Sequence, residues 1–108
     1  MVTKVRLNTP ICDHGTEIIA RAIGGDTLVE IRSDCRSVQT YADRLGRVSM
    51  DDIMDLKGSK IIELASDVGL TSTCLVPVAV YNACWVEHGM ISRNLALAKE
   101  RLCIEFIE

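Results

Sequence analysis

Aromatic side chains are nearly missing from this chain: one Trp, one Phe and two Tyr make up 4% of its 108 residues. Single-stranded nucleic acid is bound by stacking bases on aromatic faces, so that class of function is excluded first. The core must then be built from Ile, Leu, Val, Ala and Met. A surplus of positive charge is missing too. Lys and Arg number 12 against 15 Asp and Glu, a formal net charge of −3, which removes the sequence-independent attraction to a phosphate backbone. No apolar run reaches the roughly 18 to 20 residues that cross a bilayer. The opening MVTKVRLNTP has neither the apolar stretch nor the small-residue cleavage site of a secretory signal. The expectation is a soluble, cytoplasmic protein with no nucleic-acid or membrane partner. Repeats, low-complexity tracts and a paired CxxC signature are absent as well.

What is present is an ordinary globular composition, 48% hydrophobic and 25% charged, in a length that suits a single domain spanning residues 1–108. Residues 3–8, TKVRLN, alternate weakly and predict a short strand. TEIIARAI at 16–23 and TLVEIRS at 27–33 flank GGD, whose paired glycines accept the positive φ of a hairpin turn. The pattern then becomes helical. Ser33 or Asp34 is placed to cap a helix from about Cys35 to Leu45, with Val38, Tyr41, Ala42 and Leu45 on one face and Gly46 ending it. Ser49 followed by Asp52 predicts a short capped helix to Leu56, and SKIIELASDVG a further one closed by Gly69. Ser72, Thr73 or Cys74 is then available to cap an apolar helix with Pro77 in its first turn, ended near Gly89. One more helix is expected from Ile91 through Ala98, and LCIEFIE at 102–108 alternates like a closing strand. The fold class is α+β: a three-stranded antiparallel sheet on the N-terminal side packed against several helices, with that closing strand.

Five cysteines, an odd number, in such a setting indicate thiols or metal ligands rather than structural disulfides. Cys12 is followed by Asp13 and His14 in the stretch ICDHGTEII. Cys35 and Cys74 both fall at predicted helix starts, where unpaired N–H groups and partial positive charge favour a thiolate. A thiolate is both a nucleophile and a soft metal ligand, so zinc or an iron–sulphur cluster is the expected cofactor class. Each residue also has a plainer use. Cys12 is small enough to pack as a hydrophobe, Asp13 suits an Asx turn, and His14 suits an exposed turn. Cys84 and His88 share a helix face four residues apart, but Ala83, Trp85 and Val86 mark Cys84 as core. Cys103 has no assigned role.

The order of these features resembles the NifU-like iron–sulphur cluster assembly scaffolds. TLVEIRSDCRSVQTYADRLGRVSMDDIMDLKG is similar to that family's strand, cysteine and helix followed by a Gly-basic turn and an acidic short helix. LTSTCLVPVAVYNA resembles its third-cysteine segment, and also related small domains with a Thr-Ser-Cys-Pro motif. The likeness covers about residues 11 to 98 and rests on order and spacing. It implies that Cys12, Cys35 and Cys74 are the cysteine ligands and that Asp13 tunes cluster lability, one position nearer its cysteine than usual. The chain departs from the family pattern with Asp34 before the second cysteine, where Gly is typical, and Thr73 before the third, where His is frequent. Sulphur-donor or cluster-acceptor proteins are the partners the resemblance implies.

The leading expectation is therefore a scaffold or carrier, not an enzyme, that holds a metal centre on Cys12, Cys35 and Cys74 with Asp13, ahead of His14, as fourth ligand. A thiol-based redox protein or enzyme, with a low-pKa cysteine and His14 as base, is the second reading. A small structural or partner-binding domain whose cysteines are ordinary core residues is the third.

Overall fold

The computed structural model describes all 108 residues. Three strands, β1 (Thr3–Thr9), β2 (His14–Ile23) and β3 (Asp26–Ser33), form an antiparallel meander. A helix, α1 (Arg36–Leu45), leads to a two-residue strand β4 (Arg47–Val48), which pairs with β3 at Thr27 and Leu28 and completes a sheet of order β1-β2-β3-β4. The helices α2 (Met50–Met54), α3 (Lys60–Asp67), α4 (Val76–Glu87) and α5 (Arg93–Lys99) follow. The class is α+β, as alternation in the first third and helical periodicity thereafter require.

All helices that pack on the sheet do so from one side. Thr16, Ile18 and Ala20 of β2 and Thr27, Val29 and Ile31 of β3 are buried on that side, with Val5 and Leu7 of β1 packed against the same core. The intervening residues form an open face of charge-bearing rows. Arg6 stands opposite Glu17, and Glu17 opposite Arg32, so opposite charges alternate across three strands. This two-sided pattern is why the strands read as alternating. The hairpin turns at Gly24 with a φ of 59°, a conformation that costs a glycine little.

The few aromatics tie the short helices to the core. Tyr41 is fully buried and its hydroxyl donates to the Ile61 carbonyl at 2.8 Å. Tyr81 donates to the Asp55 carbonyl at 2.8 Å, and the Trp85 indole to the Ile53 carbonyl. Each packs its ring against the core and sets its polar tip on a backbone carbonyl of α2, α3 or the turn between them. At α2, Ser49 accepts from the Asp52 N–H while the Asp52 carboxylate accepts from the Ser49 N–H, a complete capping box. No helix is long and apolar enough to cross a membrane.

Three local expectations are corrected. Residues 102–108 form no closing strand: they make no hydrogen bond to the rest of the chain, and the fourth strand is β4. Alternation makes a strand only where a sheet edge accepts it, and the chain leaves α5 through Glu100 at a φ of 70° without meeting one. Neither Ser33 nor Asp34 caps α1. Cys35 is the N-cap residue without a side-chain bond, and the Ser33 hydroxyl accepts from its N–H at 3.1 Å. Likewise α4 begins one residue beyond Leu75, with no side-chain cap from Ser72, Thr73 or Cys74. There the Thr71 and Thr73 hydroxyls bond each other at 2.9 Å instead.

Candidate functional site

The turn joining β1 to β2 carries Cys12, Asp13 and His14. The Asp13 N–H donates to the Thr9 carbonyl at 2.8 Å, and Asp13 takes a φ of 58°, a left-handed conformation that Asp tolerates better than most residues. Cys12 is exposed, and its thiol donates to the Thr9 hydroxyl at 2.9 Å. That hydroxyl in turn donates to the His14 carbonyl at 3.0 Å, so the turn is closed on itself by a short hydrogen-bond chain.

Asp34 binds this turn to the junction between β3 and α1. One carboxylate oxygen accepts from the Gly15 N–H at 3.1 Å and from His14 Nδ1 at 2.9 Å. The Gly15 N–H, then the His14 ring, hold the Asp34 carboxyl below its ordinary value. A carboxylate only accepts, so the imidazole proton facing it belongs on Nδ1, and Nδ1 is the ring nitrogen that Asp34 engages. Cys35 follows directly and is half-buried against the core. By sequence alone Asp34 is one of two candidate caps of α1, with Ser33. Its actual partners lie 19 and 20 residues away across the sheet, and no local pattern carries that information.

Cys74 enters from the segment before α4, also half-buried against the core. Its thiol is pushed up in pKa, first by burial, and further by negative charge on Cys35 and on Cys12 when those ionise; the Val76 N–H at the start of α4 pulls the other way. The expectation that a helix start would favour the thiolate is therefore corrected for Cys74: desolvation outweighs the N–H contribution. Cys12 and Cys35 are thus near enough for their charges to act on Cys74, each coming from a different junction of the fold. They are not assembled as ligands. No group of three or more His, Cys, Asp and Glu side chains stands in metal-holding geometry.

The other two cysteines lie elsewhere. Cys84 is fully buried in the core, and burial pushes its thiol up to about 11. His88, four residues on, spends Nε2 on the Thr27 hydroxyl at 2.7 Å. This helical pair thus converges on β3 as packing and hydrogen bonding. Cys103 is exposed in the segment after α5.

Residues 3–99 match the model of a family of unknown function, DUF6951, and the chain belongs to that family. The match embraces every strand and helix together with Cys12, Cys35 and Cys74, and stops before the segment 102–108. No curated protein and no solved structure matches the chain.

Proposed function

We propose that Cys12, Cys35 and Cys74 form a thiolate site for a soft metal centre, zinc or an iron–sulphur cluster, and that the protein holds or passes on that centre without turning over a small substrate. The observation that supports this is that Cys12 and Cys35 flank one end of the sheet, in the β1–β2 turn and just after β3, and that both lie near enough to Cys74 for their charges to act on its thiol. Their charges oppose one another, and an ion of two or more positive charges reverses that repulsion and draws the protons off. Three sulphur donors also suit these metals better than oxygen-seeking ones. To ligate, Cys12 must leave Thr9 and turn toward the other two.

For the fourth position His14 ranks ahead of Asp13. A histidine whose Nδ1 is held by a carboxylate is the arrangement that orients Nε2 for a metal, whereas the Asp13 carboxylate has no partner that aims it. On this reading the NifU-like resemblance extends to function, the metal centre is cargo, and sulphur donors or cluster acceptors are the partners. The elevated thiol of Cys74 weighs against the reading of a low-pKa nucleophile at that position.

Metal analysis of protein purified without oxygen, with Co²⁺ titration followed by thiolate-to-metal charge-transfer absorption, tests the assignment. Substitution of Cys12, Cys35 or Cys74 by Ser is expected to abolish or strongly weaken binding, while Cys84→Ser and Cys103→Ser retain it. Equal, near-zero iron, zinc and cobalt binding in the wild type and all variants sinks the proposal.

A further inference from the structure

β1 is the free edge of the sheet, since the order β1-β2-β3-β4 leaves one of its sides unpaired. Apart from the Val2 carbonyl next to its start, which accepts from Arg93 at 3.2 Å, no side chain or loop bonds to that side. A seven-residue unpaired edge is a template for another strand. The same molecule carries an unpaired strand-like segment. In LCIEFIE the large apolar side chains stand in water, with Leu102 83%, Ile104 67%, Phe106 78% and Ile107 91% exposed. A chain with a single Phe leaves that Phe uncovered, and contiguous apolar exposure of this kind marks an interaction surface.

The two match in detail. On β1, Thr3, Val5 and Leu7 face the helices, while Lys4, Arg6 and Asn8 are exposed on the open face. Along the segment, Leu102, Ile104 and Phe106 alternate with Cys103, Glu105 and Ile107. With Glu105 set opposite Arg6, in the antiparallel order of the rest of the sheet, Phe106 comes opposite Val5 and Ile104 opposite Leu7. The apolar set then covers the half-buried Val5 and Leu7 from the side. Glu105 continues the alternating row Arg6, Glu17, Arg32 by one more charge of the right sign. A register shifted by one residue loses both agreements at once.

We infer that the occupant is a second copy of this chain: residues 102–107 of each protomer add as a strand to β1 of its partner, giving a reciprocal two-fold dimer. α5, which precedes the segment, starts beside β1, where Arg93 also bonds the Thr3 hydroxyl at 2.9 Å, and a reciprocal exchange closes the assembly at two copies. This inference is independent of any metal at the cysteines.

Light scattering coupled to size-exclusion chromatography, from micromolar to several hundred micromolar protein, tests it under reducing conditions. The wild type is expected to show twice the chain mass at the upper concentrations, and deletion of residues 102–108 to leave a monomer. Arg6→Glu and Glu105→Lys are both exposed changes, and each alone should raise the dimer dissociation constant by about tenfold, since two cross-strand pairs turn repulsive. Combined, they should bring it back to near the wild-type value. A wild type that is monomeric throughout, whether or not the segment folds back on its own β1, overturns the inference. So does a dimer that survives the deletion, or a charge exchange that fails to restore association.

Discussion

Glu87 offers the sharpest test of how this fold is held together. It is the last residue of α4, and its side chain is 5% exposed. One carboxylate oxygen accepts from the Thr3 hydroxyl at 2.9 Å and from Arg93 Nη2 at 3.1 Å; the other accepts from the Ala22 N–H at 2.9 Å. A single buried charge thus ties α4 to β1, β2 and α5. Burial by itself raises the carboxyl's pKa, but the Ala22, Thr3 and Arg93 donors together outweigh it and hold the group below its ordinary 4.5. Glu87→Gln keeps the shape but supplies one acceptor and one NH₂ where two acceptors are needed. Its NH₂ must face either the Ala22 N–H or the Arg93 guanidinium, both of which only donate. Breaking a buried pair from one side costs about 3–5 kcal/mol when the survivor is also buried. Arg93 keeps 28% exposure and regains some hydration, so the cost here is about 2–4 kcal/mol. With a urea dependence of about 1–3 kcal/mol per molar, the midpoint should fall by roughly 0.7–4 M. The pH dependence has a definite sign. A carboxyl with a depressed folded-state pKa stabilises fully above its ordinary value of 4.5 and ceases to as pH falls through the lower folded value. The difference between wild type and Glu87→Gln should be level at neutral pH and shrink below 4.5. A loss under about 0.5 kcal/mol at pH 7, the ordinary scatter of surface substitutions, would refute the reasoning, as would a difference that persists unchanged in acid.

Two further outcomes are expected. Alkylation of the native protein, read by mass spectrometry, should label Cys12 and Cys103 quickly and Cys84 only after denaturant is added, because Cys84 is fully buried and its thiol is pushed up to about 11; labelling of Cys84 at the rate of Cys103 contradicts the packing described. Asp34→Ala, which removes the acceptor that aims His14, should weaken Co²⁺ binding by about 10- to 100-fold with only a small change in thermal stability, since the side chain is exposed; unchanged affinity removes His14 and Asp34 from the site.

Much of the architecture was legible in the chain because it depends on near neighbours. The two strand-like stretches on either side of Gly24 and Gly25 marked β2 and β3, and the Val38, Tyr41, Ala42 and Leu45 spacing described the buried face of α1. Ser49 with Asp52 marked a capping box that is made as written, although α2 ends at Met54, before Leu56. These features rest on a period or on groups within one turn of each other. The segment 102–108 shows the limit of such reasoning. Its alternation is a real property of the residues, yet whether it is a strand depends on an edge that no residue within the segment supplies.

The site divides the same way. Which residues have metal-ligating chemistry was readable from their types, and Cys12, Cys35 and Cys74 stood out by position. Only the tertiary structure decided that the turn after β1 meets the β3–α1 junction through Asp34, that Nδ1 of His14 is occupied, and that His88 belongs to Thr27 rather than to Cys84. It also decided that burial raises the Cys74 thiol where a helix start alone would lower it. Glu87 had no mark in the sequence, because its three donors come from positions 3, 22 and 93. Residue type and local period belong to the sequence by itself. Partnership between groups tens of residues apart, and the desolvation that sets their charge, exist only once the chain has closed around them.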